Sequence, residues 1–246
     1  MIQVNLLIVI TVKIIKMAIP QIFVRCVDCN CMSGAFKELT PEQLERVDRH
    51  RSELSYHKGE ILCKQGSFVS NMMYIKSGLV KLFLENNENP TIISLEKSGY
   101  FIGLPSLFDG EVFHYTAEAL EETEVCLVDI NTFRELLGEN SKFAVSIISL
   151  MNNDLVYSYS RMSSLTQKHI NGRFAELLIY LSNKIYESNP FTTSISRKDM
   201  AELIATSHES ISRLVKKFTE DEIINHNGHL FEILNEEKLR RISIVG

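Results

Sequence analysis

Hydrophobic and polar positions change their period along the chain. Between Tyr56 and Ile130 the apolar residues come in short runs: Ile61 to Lys64, Met72 to Ile75, Leu79 to Leu84, Thr91 to Leu95, Ala117 to Leu120 and Val125 to Ile130. Turn residues separate them at Gly59, Gly66, Gly78, Asn86-Asn87, Gly99, Gly103 and Asp109-Gly110. Short runs punctuated in this way predict strands, and several at this spacing predict a barrel or jelly roll. A short helix from Glu42 to Val47 precedes them. Thr40 serves as its N-cap, Pro41 takes the first helical position, and Glu42 and Glu45 suit the positive end of the dipole.

After Asn131 the pattern turns helical. Ile148, Met151, Leu155, Ser158, Met162 and Leu165 are spaced by three and four residues, the seam of a long helix that packs along a partner. That partner is either the roll itself or the same helix of a second copy. A break is expected near Asn171-Gly172, with a second helix from Arg173 to Glu187 whose apolar face is Phe174, Leu177, Leu178 and Leu181.

The last third reads as short helices and a hairpin. Ser196-Arg-Lys-Asp199 and Thr206-Ser-His-Glu209 each carry a hydroxyl followed three residues later by a carboxylate, the signature of a capped helix start. One helix is therefore expected from Arg197 to about Ile204 and another from Ser207 to about Thr219, with the turn Ala205 to Ser207 between them, which is helix-turn-helix spacing. Ile223-Ile224 and Leu230 to Leu234 flank Asn227-Gly228, a strong hairpin signal. A helix-turn-helix followed by a hairpin is a winged helix.

Composition sharpens this only locally. With 45% hydrophobic and 23% charged residues the chain of 246 residues is ordinary globular protein, long enough for two domains. Its net charge of −5 does not invite a polyanion. From His169 onward ten Lys or Arg face eleven Asp or Glu, so distribution decides. Positions 209, 212, 213 and 216 share one face of the second short helix, with Ile211, Leu214, Val215 and Phe218 on the buried side. A recognition helix needs polar side chains on base edges and basic ones on phosphates. Glu209 can accept from a cytosine amino group, Arg213 can pair bidentately with guanine, and Ser212 can adapt. Arg197, Lys198, Lys216 and Lys217, with Ser207 and His208 beside them, would hold the backbone of double-stranded DNA. The bland alternative is a surface helix on which Glu209 and Arg213 form an i,i+4 ion pair.

The leader holds two apolar runs, Leu6 to Val12 and Ile14 to Val24, interrupted by Lys13 and Lys16. Neither reaches the roughly 18 residues a membrane helix needs, and no signal-peptide cleavage site follows, so no membrane partner is expected. We read it as a poorly ordered leader to which no function is assigned, a translation start at Met17 being one form of that reading. Five cysteines are too few for a disulfide framework, and Cys26, Cys29 and Cys31 crowd together, which suits thiolate ligation in a reducing cytoplasm. No nucleophile-and-base pair and no phosphate-cradling loop is present, so an enzyme is not expected.

At this point the chain resembles the CRP/FNR family of transcription regulators, over roughly Phe36 to Leu234. The resemblance is carried by Lys58-Gly59-Glu60, Gln65-Gly66, Tyr74 to Lys81, Gly99-Tyr100-Phe101-Ile102-Gly103 and Ile195 to Arg213. It implies an α+β chain: a leader and cysteine-rich segment (1–35), a double-stranded β-helix or jelly-roll sensor (36–138), a dimerisation helix (139–168) and a winged helix-turn-helix domain (169–246). Ile148, Met151, Leu155 and Met162 become homodimer contacts, and RNA polymerase becomes a partner. Glu209, Ser212 and Arg213 match the Glu-x-x-Ser-Arg triplet of FNR-type members, which implies a palindrome of TTGAT-like half-sites. The rival reading is a metal- or ligand-binding signalling module whose winged helix serves protein contacts.

Two departures bear on the signal. Cyclic-AMP binders clasp the phosphate with an arginine, whereas here Gly103 precedes Leu104 and the segment Glu111-Val-Phe-His-Tyr115 has no arginine, so cyclic AMP is not expected. In FNR-type members three N-terminal cysteines and one in the roll hold a [4Fe–4S] cluster. Cys126 falls at the roll position and Cys26 and Cys29 match the first two ligands, but Cys31 comes too soon and the expected place is near Gly34-Ala35. A cluster on Cys26, Cys29, Cys31 and Cys126 and a set of idle or buried thiols, Cys63 among them, stand level; zinc follows.

Overall fold

A computed structural model describes residues 25–86, 90–109 and 112–245. The apolar runs of the leader, the Met17 start, Asn87, Gly110 and Glu111 lie outside the described residues.

Two four-stranded antiparallel sheets form the roll. One takes β1 (Arg51–Tyr56), β8 (Thr123–Asp129), β3 (Asn71–Ser77) and β6 (Phe101–Ile102) in that order. The other takes β2 (Ile61–Cys63), β7 (Thr116–Ala119), β4 (Leu79–Leu84) and β5 (Thr91–Lys97). Six of the eight follow the apolar runs. The other two do not: β1, Arg-Ser-Glu-Leu-Ser-Tyr, is nearly all polar and exists because it pairs β8 along its length, from Arg51 opposite Val128 to Tyr56 opposite Thr123. β6 is only two residues long, paired to β3 at Met73 and Tyr74. Gly78 joins β3 to β4 with φ of +96°, and a Cβ there would stand 2.6 Å from the Glu122 carbonyl oxygen, so glycine is required twice over.

Helices flank the roll. In α1 (Pro41–Arg49) the Thr40 hydroxyl accepts from Gln43 N and Gln43 Oε1 accepts from Thr40 N, a complete capping box. Asp129 caps α2 (Ile130–Glu139) and Asn140 caps the long α3 (Ser141–Gln167). An aromatic stack of Phe36, Phe101, Phe133 and Phe143, with ring centroids 5.2–5.7 Å apart along the chain of contacts, pins the first turn of α3 to the roll. Further along, Ile148, Met151, Leu155 and Met162 are exposed, from 36% to 64%. That stripe has no partner among the described residues.

The chain turns between α3 and α4 (Ile170–Tyr180) at Lys168-His169, three residues before the expected break, because both adopt extended backbone while Gly172 is buried inside the first turn of α4. The second helix also stops short of Glu187: it ends at Tyr180 and runs into one π turn, Leu181–Ile185. In the last third α5 (Arg197–Leu203) and α6 (His208–Glu220) form the helix-turn-helix. β10 (Ile224–Asn227) and β11 (Leu230–Ile233) form the wing, with β9 (Phe191–Thr192) as a third strand on β11. The hairpin loop is Gly228-His229 rather than Asn227-Gly228, since Asn227 pairs with Leu230 and Gly228 carries the positive φ of 62°. A terminal helix α7 (Glu236–Val245) packs on α4 through the fully buried Leu239.

The two halves share a core. Leu79, Ile92, Leu95 and Leu120 of the roll belong to the same apolar cluster as Phe174, Leu178, Met200 and Phe218. The reader half is therefore docked on the sensor.

Candidate functional site

The reading face is built by α6. Ser207 caps the helix, its hydroxyl accepting from Ser210 N at 3.2 Å. The sequence pattern places the cap at Thr206 with Glu209 as its reciprocal carboxylate; the cap slips by one residue and leaves Glu209 exposed in the first turn. Ile211, Leu214, Val215 and Phe218 are buried, and Ser207, His208, Glu209, Arg213, Lys216 and Lys217 are exposed around them. Hydrogen bonds from its own backbone N–H and from the Ser207 hydroxyl hold the Glu209 carboxyl below the usual range, so it is an anion and an acceptor at neutral pH. Arg213 does not pair with Glu209: its guanidinium donates to Ser210 Oγ at 3.1 Å. The i,i+4 ion pair of Glu209 with Arg213 is therefore not formed as a direct contact.

The supporting residues divide. Arg197 reaches from α5 to Ser212 Oγ at 3.5 Å and lies 3.3 Å from His226 Nε2, so it ties both α5 and the wing to the reading helix. Burial first, and the Arg197 cation with it, hold the His226 imidazole below its ordinary pKa, which keeps it neutral beside the guanidinium. Lys198 and Lys216 stand at the surface, each near a glutamate on its own helix (Glu202 at 3.8 Å, Glu220 at 3.7 Å), contacts worth little in water. Arg197 thus joins the start of α5, α6 and the hairpin, whereas Lys198 stands at the edge of a cavity it lines with Lys81, Phe83 and Glu118 of the roll.

Residues that pattern reasoning missed connect this face to the roll. Lys81 of β4 places its ammonium 2.9 Å from Asp199 Oδ1 and 3.2 Å from Glu118 Oε1. Asp199 is the capping carboxylate of α5, accepting from Ser196 N at 2.9 Å. Burial would raise its pKa, but hydrogen bonds from Ser196 and Lys81 outweigh that and hold it low. Lys58 donates to the Ser194 carbonyl and the Tyr180 hydroxyl to that of Leu95. A lysine in a strand gives no such signal in sequence.

Four of the cysteines gather against the sheet of β1, β8 and β3, not the one that carries Lys81. Cys26, Cys29 and Cys126 line one small cavity with Phe36, Arg51, Tyr74 and Lys76. Cys31 stands beside it, its Sγ 3.2 Å from that of Cys29. Arg51, 2% exposed at its side chain, donates to Cys126 Sγ at 3.3 Å. Burial, then Asp48, pushes the Cys26 thiol up to about 12, and burial, then Cys29, pushes Cys31 up to about 11. Cys63 is buried on β2, away from this cavity. Among the described residues no three His, Cys, Asp or Glu side chains are gathered as they stand to hold a metal ion.

Comparison with known proteins fits this division. A cyclic nucleotide-binding domain model matches residues 53–140 and a Crp-like helix-turn-helix domain model matches residues 172–242. The chain is 24% identical over 229 residues to the fumarate and nitrate reduction regulatory protein of Vibrio cholerae, covering 89% of this chain and 90% of that one. It is 25% identical over 229 residues to the transcriptional activator protein anr of Pseudomonas aeruginosa, covering 90% and 93%. Among solved structures it is similar in fold to FixK2 from Bradyrhizobium japonicum, with a TM-score of 0.73 at 19% identity, covering 80% of this chain and 98% of that one.

Proposed function

We infer that this chain, which belongs to the CRP/FNR family of transcription regulators, acts as a homodimer that reads a palindromic DNA site through α6. The family is one of regulators and not a class of enzymes. The observation that carries the reading is exposed Glu209 and Arg213 with half-buried Ser212 between them on a capped helix, flanked by the wing. Glu209 accepts from cytosine, Arg213 pairs with guanine and Ser212 adapts, while Lys198, Lys216, Lys217, Ser207, His208 and the outer edge of Arg197 hold the phosphates. The unpartnered stripe Ile148, Met151, Leu155 and Met162 supplies the dimer seam, which sets the two reading helices about 34 Å apart. Four basic residues per protomer neutralising one phosphate each predict a log–log salt slope of about −7. Titration of a labelled duplex with two inverted TTGAT-containing half-sites tests this: tight binding that falls steeply with salt supports it. Equal affinity for a scrambled duplex overturns it in favour of a module that uses its winged helix on proteins.

The signal is redox- or oxygen-linked in this reading, sensed at the cysteine cavity. Cys26, Cys29, Cys31 and Cys126 would hold a [4Fe–4S] cluster, whose lability to oxygen would supply the response. The donor set suits it in kind, four thiols with the Arg51 guanidinium on the Cys126 sulfur, while Arg51 and Lys76 are themselves paired with Asp48 and Glu53. The raised thiols mean that ligation must release protons. Cyclic AMP is not the effector we propose: the buried Tyr115 hydroxyl accepts from Gly103 N at 2.9 Å inside the roll, and residues 103–115 include no arginine. Anaerobic purification with absorbance in the sulfur-to-iron charge-transfer region and metal analysis separates the cases. Iron and sulfide at four each support the cluster; zinc alone, or no metal, overturns it.

A further inference from the structure

A cavity of about 290 Å³ opens where α3, α4 and α5 meet, between the long helix and the reader. Its volume is near the lower bound of small-molecule sites, about 300 Å³. Its walls are mostly apolar: Tyr157 and Tyr180 stack on one side with ring centroids 5.8 Å apart, and Leu177, Leu203 and Ile204 line the rest. Three cations also line it, Arg161, Arg173 and Lys184. Glu176, the only lining carboxylate among the described residues, is already engaged by the Ser164 hydroxyl and by Lys168 at 3.3 Å. Arg173 spends one terminal nitrogen on the Leu165 carbonyl at 3.3 Å. Its Nε is buried and has no hydrogen-bond partner, alone in this among the buried side-chain nitrogens and oxygens of the described residues.

The Arg173 Nε is buried too deeply for an occupant of the cavity to reach, so the guanidinium meets one through its second terminal nitrogen. An occupant's polar end has to be anionic to match the surplus of positive charge, and its body has to be apolar to match the walls. We propose that this hinge cavity is a binding site for a small carboxylate with an apolar body, its carboxylate on Arg173 and its body between the tyrosine pair and Leu203 and Ile204. The site is separate from the cysteine cavity and the reading face, so it stands whether or not the DNA reading holds. Because its walls come from both the long helix and the reader, an occupant biases how the two sit together.

Calorimetric titration of the full chain with octanoate and with phenylacetate tests the site, using the neutral amides octanamide and phenylacetamide as controls. The expected result is saturable binding of one carboxylate per protomer, at least tenfold weaker for the matching amide. Arg173→Met should weaken it at least tenfold, and Ile204→Trp, which fills the cavity, should abolish it, with each variant's melting checked to confirm folding. Should Arg173→Met fail to fold, Ile204→Trp and the amide controls decide. No saturable binding of either carboxylate at millimolar concentration, equal binding of acid and amide, or binding that survives Ile204→Trp overturns the proposal.

Discussion

Replacing Lys81 by methionine removes the ion that joins the roll to the capping carboxylate of α5. The Lys81 side chain is 15% exposed and that of Asp199 10%, so the pair is poorly screened. A charge-assisted hydrogen bond in such a setting is worth about 1.5–3 kcal/mol. Asp199 keeps its bonds from Ser196, which limits the loss, whereas Glu118 also loses its partner at 3.2 Å. We expect Lys81→Met to cost about 2 kcal/mol, lowering the melting temperature by about 4–8 °C for a chain of this size. The assay is a double-mutant cycle with Asp199→Asn in urea, which cancels the separate damage to the α5 cap; the coupling should be about 1–2 kcal/mol. Its pH dependence has a definite sign. Asp199 is held below its unfolded pKa, so its share is complete above about pH 4 and is lost as pH falls through the folded value. Burial would lower Lys81, but Asp199 and Glu118 raise it, so its share persists up to its unfolded pKa near 10.4 and is lost as pH rises through the folded value. The coupling should therefore be flat from about pH 5 to 10 and shrink outside that range. A coupling below about 0.5 kcal/mol, or one that grows on acidification, refutes the reasoning.

Two further substitutions probe the sensor. Gly78→Ala forces a side chain into left-handed backbone and against the Glu122 carbonyl, and should destabilise the chain by about 2–4 kcal/mol in urea unfolding; a loss below about 1 kcal/mol would contradict the turn geometry. Burial, with Asp154 adding to it, pushes the Glu96 carboxyl up to about 8, so the folded state holds a proton that the unfolded chain releases near pH 4.3. Stability should therefore fall as pH rises from about 4 to 8, by at most about 1.4 kcal/mol per unit from this group. Glu96→Gln should flatten that slope in melts run between pH 5 and 8.5, and an unchanged slope counts against the buried proton.

What could be read from the sequence was what local chemistry dictates. Ser196-x-x-Asp199 builds its capping box and α5 starts at Arg197, because the box is complete within four residues. The roll and the winged helix follow from runs and turns in the same way. What could not be read depends on partners far away in the chain. The polar β1 exists because β8 lies beside it, α7 is held by its packing on α4, and β9 is two residues that the wing recruits. The slip of the α6 cap from Thr206 to Ser207 came from two adjacent hydroxyls, either of which satisfies the pattern. Lys81, Arg51 and the Arg173 cavity have no sequence signal, since each is defined by what the fold carries to it.

The central claim is that α6 reads bases, and Arg213 tests it most directly. Affinities of the native chain and Arg213→Ala are measured by fluorescence anisotropy, at one fixed salt concentration, on a duplex with two inverted TTGAT half-sites and on the same duplex with the guanines replaced. We predict that the native chain discriminates by about 1–3 kcal/mol per guanine and that Arg213→Ala loses most of that discrimination while keeping its non-specific affinity. Equal discrimination by the native chain and Arg213→Ala would contradict the account.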